Sequence, residues 1–324
     1  MANLKASVVV PTRDRPDRLR ALLESLAEQT ASARPFEVVV VDDASAISDP
    51  GVLTEEGVLT DGIRARVLRH GSPRGPAAAR NTGWRAAEAP LVAFTDDDCR
   101  ATPGWLGELL STWEGDAGRF VQGQTAPEPA ERGRLGPLSR TLDVRGPGYF
   151  ETSNIAYPRR LLDALGGFDE GFRRACGEDV ELGIRATKAG AELVFVPEAL
   201  MYHAVYRPSL LATCRHTFRW TDALRVLKLH PGERHRVPWR FFWKRTHPPL
   251  LVALVGSAWA ARRRNGILAV AAWLPYLGVY RRRYSRTERP WATLARWLPA
   301  HLIVDLCEVA TMVVGSVRHR TLVL

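Results

Sequence analysis

The chain has 324 residues, of which 46% are hydrophobic and 25% charged, with a formal net charge of +10. That apolar share supports a real core and excludes a chain too polar to fold, and the length suits one large domain with an appendage, or two domains. The charge is uneven. Residues 1–203 hold 24 Lys+Arg against 30 Asp+Glu, whereas residues 204–324 hold 21 against 5, so two physically different jobs are expected. Cys99, Cys176, Cys214 and Cys307 are scattered, without the spacing of a zinc site. They read as buried thiols in a reducing compartment.

In chain order, Ala6-Ser7-Val8-Val9-Val10 reads as a buried strand stopped by Pro11. It follows the N-terminus at once, which predicts no signal peptide and a cytoplasmic catalytic part. A helix is expected over 17–29, opened by Pro16-Asp17, with Leu19, Leu22, Leu23 and Leu26 on one face. Strand 36–41 ends in Asp42-Asp43-Ala44-Ser45. A third strand follows over 63–68, an alanine-rich helix over 77–87 and a fourth strand over 91–94. Strands alternating with helices predict right-handed βαβ units around a parallel sheet. From 120 to 149 several prolines and glycines break the pattern, and an irregular connection is expected. A helix over 178–189 and a strand over 192–196 complete the predicted elements.

Beyond Arg207 the composition changes. Two stretches free of Lys, Arg, Asp and Glu, 246–261 and 265–280, are each 16 residues long and bounded by arginines, including Arg262-Arg263-Arg264 and Arg281-Arg282-Arg283. Both fall short of the roughly 20 residues that cross a bilayer. A third stretch, 297–317, is long enough but carries His301, Asp305 and Glu308, which are costly at a bilayer centre. With Trp239, Trp243, Trp259, Trp273, Trp291 and Trp297 close by, helices lying in the cytoplasmic leaflet fit best. A basic helical subdomain packed on protein is the alternative.

Asp96-Asp97-Asp98 directly follow the apolar run Leu91-Val92-Ala93-Phe94, and so stand at the C-terminal end of a buried strand, where open α/β sheets bind ligands. Adjacent carboxylates raise one another's pKa, and a divalent cation relieves them; hard oxygen ligands suit Mg²⁺ or Mn²⁺. A solvated turn or helix cap is the plain alternative.

Six segments in order resemble the family 2 glycosyltransferases, inverting enzymes with the GT-A nucleotide-sugar fold. They are Ser7-Val8-Val9-Val10-Pro11-Thr12, Val41-Asp42-Asp43-Ala44-Ser45, the stretch from Gly75 to Gly83 with Arg80-Asn81, Thr95-Asp96-Asp97-Asp98, Gly166-Gly167-Phe168-Asp169-Glu170 and Gly177-Glu178-Asp179-Val180-Glu181-Leu182. Each alone is common, but the ordered set is specific and covers about residues 6–203. The resemblance implies an α/β GT-A fold, with a mostly parallel sheet flanked by helices, over 1–225. Nucleotide-sugar binding falls in 1–100 and acceptor binding and catalysis in 101–225; residues 226–324 carry no family signature, and their composition is what predicts a helical, membrane-associated region there.

The same resemblance implies roles. Pro11 and Thr12 face base and ribose, and Asp43, supported by Asp42, accepts from the base. Arg80 and Asn81 serve the diphosphate, for which guanidinium forks and a helix N-terminus are suited; Arg74 is placed with them by its chemistry alone, a solvated loop charge being the alternative. Asp98 and Asp96 lead the metal site, with Asp97 able to replace either and His203 as a possible imidazole ligand to Mn²⁺ or Mg²⁺. Asp179 is the expected general base and Glu178 its neighbour; Asn154, Gly167 and Phe168 line the sugar and acceptor pocket. Arg219 and Trp220, placed in the acceptor and donor-sugar pocket, resemble part of the Q-x-x-R-W motif of processive synthases, with a helix packing on the sheet as the alternative; His216 replaces the glutamine, so transfer of one or a few sugars is expected.

The reading is a metal-dependent transferase taking a nucleotide-diphosphate sugar, UDP-sugar by family weight, to a lipid-linked or cell-envelope glycan at the cytoplasmic membrane face. Alternatives are a non-catalytic membrane-bound sugar-nucleotide sensor or scaffold and a basic nucleic-acid-binding protein. The tail has no helix-turn-helix or zinc signature for the latter, so no nucleic-acid partner is expected.

Overall fold

A computed structural model describes residues 4–46 and 64–324 together with the backbone of 58–59 and 63; the first three residues, on which the N-terminal reading leans, lie outside them. The chain forms two compact units, 1–207 and 208–324. The division falls earlier than the expected 225/226 boundary.

In the first unit the predicted strands and helices appear as β1 (Ala6–Thr12), α1 (Pro16–Ala27), β2 (Phe36–Asp42), β4 (Ile63–Arg69), α2 (Pro76–Ala86) and β5 (Leu91–Phe94), with an additional short strand β3 (Val58–Leu59) ahead of β4. They are followed by β6 (Cys99–Ala101), α3 (Trp105–Trp113), β7 (Arg119–Pro127), β8 (Ile155–Pro158), α4 (Arg159–Leu165), α5 (Glu178–Lys188) and β9 (Glu192–His203). Among the described residues the sheet runs β3-β4-β2-β1-β5-β8-β7-β9-β6.

Strands β4, β2, β1 and β5 are parallel to one another, as the βαβ pattern predicts. The other half is mixed: β8 runs antiparallel to β5 and β7, β6 antiparallel to β9, and β7 parallel to β9. A parallel neighbour needs a crossover, usually a helix. The glycine- and proline-rich connection from β7 to β8 supplies none, and β8 returns in the opposite sense.

That connection is less irregular than its composition suggests, because 119–127 is strand. Gly123 permits it: a Cβ there would lie 2.2 Å from the Ala199 carbonyl oxygen. The ladder to β9 shifts register between Gly123 and Thr125, and Pro197 sits on the β9 side of the irregularity, so β9 continues to His203 beyond the expected end at 196.

One face of the sheet buries Val8, Val10, Val38 and Val40 against Leu19, Leu22 and Leu26 of α1 and Trp105, Leu106 and Leu109 of α3. Each such side chain contributes roughly 1.5–3 kcal/mol of burial. On the other face α2 lies so close that a Cβ on Gly83 would fall 2.3 Å from Val9 Cγ1. This contact explains the alanine-rich sequence of α2. Of the four cysteines only Cys99 is buried; Cys176, Cys214 and Cys307 are half-buried, which corrects the expectation for those three.

The second unit is helical, with α6 (Leu210–Thr217), α7 (Ala223–Leu229), α8 (His247–Arg262), α9 (Gly266–Tyr284) and α10 (Pro290–His319). Residues 208–225 belong here because they pack on α10. The Thr217 and Thr311 hydroxyls meet at 3.1 Å, and Leu224 shares a core with Met312. Helix α10 alone among the described helices is long and apolar enough to cross a membrane, by length and composition.

Candidate active site

The parallel order of β1, β2 and β5 carries their C-terminal ends to one edge of the sheet. Thr12 closes β1, Asp42 closes β2, and Thr95 to Asp98 follow β5. The Thr12 hydroxyl donates to Asp97 Oδ2 at 2.8 Å, joining the first and third of these ends.

Asp43 is held by three donors. The backbone N–H groups of Arg74 and Gly75 donate to its two oxygens at 2.8 Å each, and His70 Nδ1 lies 2.7 Å from Oδ1. Burial opposes its ionisation, but these donors outweigh it and lower its pKa. Gly75, at φ +92°, makes the turn possible, since a Cβ would lie 2.6 Å from the Arg173 carbonyl oxygen. Asp42 turns instead to Ser45, whose N–H donates to it at 2.9 Å. The Arg74 side chain pairs with Glu170 at 2.9 Å, on the surface.

The acid triplet divides its work. Asp96 remains partly exposed and accepts from Arg80. Asp97 and Asp98 are buried and share Arg15, whose Nη1 lies 2.9 Å from Asp97 Oδ1 and 3.0 Å from Asp98 Oδ2. Tyr206 donates its hydroxyl to Asp98 Oδ2 at 2.7 Å. Burial pushes the Asp97 pKa up to about 6 against the pull of Arg15. Asp98 is also buried, yet His203, Arg15 and the Tyr206 hydroxyl hold it below the usual carboxylate range.

The β6–β9 ladder pairs Cys99 with His203 and so brings the imidazole to Asp98. His203 Nδ1 lies 2.8 Å from the Ala204 carbonyl, which assigns the proton to Nδ1, and Nε2 faces Asp98 Oδ1 at 3.5 Å. A proton or a cation shared between Nε2 and Asp98 Oδ1 satisfies the pair. An imidazole fixed through its other nitrogen, beside hard carboxylate oxygens, is a donor pair that a divalent metal can use. The donor set therefore fits the divalent metal expected from sequence.

Arg80 ties this edge to helix α5. It is buried, donating from Nη2 to Asp96 Oδ1 at 2.7 Å and from Nη1 to Glu178 Oε1 at 2.8 Å. Its guanidinium is thus spent on two carboxylates. Gly177, at φ +98°, opens α5, and Asp179 Oδ1 accepts the Val180 N–H at 2.8 Å. Burial and then the Glu178 charge hold the Asp179 pKa well above the ordinary range. Glu178 is raised too, chiefly by burial.

Gly166 to Glu170 are locked to α2. Asn81 donates to the Phe168 carbonyl and accepts the Phe168 N–H, both at 2.9 Å. A Cβ on Gly167, at φ +76°, would lie 2.4 Å from Asn81 Oδ1 and Trp84 Nε1. Phe168 is buried edge-on against Phe94, with ring centroids 5.2 Å apart. Asn81 and Phe168 thus brace the site, as does Asn154. The Asn154 amide donates to the carbonyls of Gln124 and Ala199 and accepts from Trp105 Nε1 at 2.7 Å, which holds β7, β9 and α3 together. Arg219 and Trp220 lie in the second unit, where Trp220 packs on Trp243 at 5.8 Å.

Arg15, His70 and Tyr206 are absent from the residues expected from sequence, although each touches one of them. Only the arginine-rich run around Arg15 offered a sequence signal, and it reads equally as a solvated helix start.

Residues 7–176 match the glycosyl transferase family 2, and residues 139–223 match a second description, glycosyltransferase like family 2. The chain belongs to glycosyltransferase family 2. This family 2 chain is 33% identical over 210 residues to a pre-mycofactocin glycosyltransferase of Mycobacterium tuberculosis, a match covering 61% of this chain and 42% of that protein. It is 31% identical over 230 residues to a validoxylamine A glucosyltransferase of Streptomyces hygroscopicus, covering 60% and 54%. It thus spans about half the length of these relatives. In fold it resembles a mannosyltransferase from Pyrobaculum calidifontis solved with GDP-Man and Mn²⁺, with a TM-score of 0.59 at 21% identity over 96% of this chain and 86% of that one.

Proposed function

We propose that this glycosyltransferase moves a sugar from a nucleoside-diphosphate donor, UDP-sugar in the first instance, to a hydroxyl of a lipid-linked or cell-envelope glycan, with inversion. The observation that carries the reading is the convergence, through Arg80, of the acid triplet after β5 and the Glu178-Asp179 pair opening α5.

In this mechanism Asp179 takes the proton from the acceptor hydroxyl as its oxygen bonds to the anomeric carbon. The bond from that carbon to the β-phosphate oxygen breaks on the opposite face, and the nucleoside diphosphate departs with the electron pair. A basic carboxylate is suited to this, and the environment of Asp179 raises its proton affinity. Glu178, paired with Arg80, stands beside Asp179 at the start of α5 and raises its proton affinity. Asp98, Asp96 and His203 would hold Mn²⁺ or Mg²⁺, with Asp97 beside them, and the bound metal would neutralise charge on the departing diphosphate. Asp43, braced by the 74–75 turn, keeps acceptor capacity for a base N–H, beside Pro11 and Thr12.

The acceptor assignment rests on the second unit, which exposes large apolar side chains between arginine clusters. That surface suits a helical bundle seated in the anionic cytoplasmic leaflet. Calorimetric titration of UDP, dTDP, GDP and CDP into the full chain, with and without Mn²⁺, tests the donor. Metal-dependent binding of one nucleotide that Asp98→Ala removes supports the reading. Absence of binding under every condition favours a scaffold.

A further inference from the structure

Asp97 and Asp98 together present two negative charges in a buried setting, their side chains only 5% and 7% exposed. The cation they share is the Arg15 guanidinium, and a single nitrogen, Nη1, reaches both carboxylates. Asp98 thus meets the guanidinium through Oδ2 while its Oδ1 faces His203 Nε2 at 3.5 Å, so a metal held by Asp98 and His203 would share a carboxylate with Arg15. The guanidinium and a divalent cation on that one carboxylate repel strongly at this range. Arg15 itself is 41% exposed and starts from a residue just ahead of α1, outside the packed ladder, so its side chain has room to turn outward. The Tyr206 ring lies beneath it, 5.8 Å from the Arg15 guanidinium and 4.7 Å from that of Arg140.

We infer that Arg15 is a resident counter-cation that competes with the divalent metal for Asp97 and Asp98, so that the metal enters tightly only when a diphosphate draws Arg15 away. A diphosphate is the chemistry to do this, because guanidinium forks bind phosphate oxygens at least as well as carboxylates. Arg15 then serves twice: it balances the acids before the donor arrives and meets the donor's phosphates afterwards. The coupling is reciprocal, so the metal also strengthens diphosphate binding by the same factor. This inference rests on the proposed metal site at Asp98.

The test is Mn²⁺ affinity of the full chain, measured by calorimetry and by the loss of free-Mn²⁺ electron paramagnetic resonance signal. It is done alone and with UDP, GDP or inorganic pyrophosphate, the last being independent of base preference. Wild type should bind Mn²⁺ at least about tenfold more tightly with diphosphate than without, a difference of one charge contact at short range. Arg15→Gln should tighten Mn²⁺ binding in the absence of diphosphate by a similar factor and shrink the coupling. Arg15→Lys, which keeps the charge, should stay nearer wild type, and Arg20→Gln, an exposed charge on α1, should change nothing. Unchanged or weakened Mn²⁺ binding in Arg15→Gln overturns the inference. So does a wild type that binds Mn²⁺ equally with and without diphosphate, a result that needs no variant to fold. If Mn²⁺ fails to bind even with diphosphate, and Asp98→Ala makes no difference, the metal-site reading itself falls and the inference with it.

Discussion

The two units solve opposite solvation problems. The first hides an aliphatic core of strand valines and helix leucines and gathers its buried acids at one sheet edge; among its described residues Leu135 and Tyr149 are the large exposed hydrophobics. The second exposes Val255, Ile267, Val270 and Val317 at 70%, 82%, 68% and 76% and buries polar groups mid-helix. There Tyr276 and Tyr280 both donate to Asp305 Oδ2, at 2.9 and 2.8 Å, and Lys244 pairs with Glu308 beside His247. The charges that made 297–317 a poor membrane span are therefore turned inward and paired. The acids behind β5 crowd together at a strand end with one exposed arginine shared between Asp97 and Asp98, whereas Asp305 and Glu308 each hold partners of their own among the helices.

The sharpest way to break this contrast is at the acid edge. Asp179→Asn should lower kcat by about 10³-fold or more while nucleotide affinity, read by calorimetry, stays within a factor of about three, as loss of a general base requires. Asp98→Ala should abolish transfer and metal-dependent nucleotide binding together. Retained turnover in Asp179→Asn would remove the base assignment. Next in size is Arg80→Leu, which strips the shared cation from Asp96 and Glu178. Leaving such buried charge uncompensated costs about 3–5 kcal/mol, visible as a lower denaturant midpoint, and adding Glu178→Gln should recover part of it. An Arg80→Leu protein as stable as wild type would show that the bridge is dispensable.

A smaller effect sharpens the other half of the contrast. Val255→Asp with Val270→Asp places charge on the outward faces of α8 and α9 and should weaken partition into anionic vesicles on the order of tenfold per charge, with melting temperature unchanged. If these charges instead lower the melting temperature and leave partition alone, the apolar faces are covered by protein.

The parts legible in the sequence were those written in contiguous residues. Apolar runs gave β1, β2, β4 and β5, and the acids placed directly behind β2 and β5 could only emerge at the strand ends. The three-residue β6 carries too short a signal, β8 ends in Pro158 just past the glycine- and proline-rich stretch, and β7 was hidden by Gly123, which sits at the register shift, and by Pro127, which closes the strand. Within the site, Asp43, the acid triplet and Glu178-Asp179 come from local motifs. Arg15 and Tyr206 reach Asp98 from 83 and 108 residues away, and no spacing rule joins them. Asn154 looked like a pocket residue and is instead a tie among core carbonyls, a role set by tertiary packing alone.

The mildest prediction concerns Glu170, which anchors the Gly166–Glu170 turn to α2 through Asn81 and meets Arg74 and Arg85. Partial burial opposes its ionisation, but the Asn81 amide and the arginines prevail and lower its pKa. A carboxyl whose folded pKa is depressed stabilises the fold above its unfolded pKa, about 4.3, and loses that contribution as pH falls through the folded value. The pairs are largely solvent-exposed, so Glu170→Gln should cost below about 1 kcal/mol at pH 7. The difference from wild type should shrink as the pH is lowered beneath 4 and fade in high salt, because exposed ion pairs are screened. A cost that persisted undiminished at low pH would assign Glu170 to packing of the turn, and its charge would then be incidental to how Gly167 and Phe168 are held.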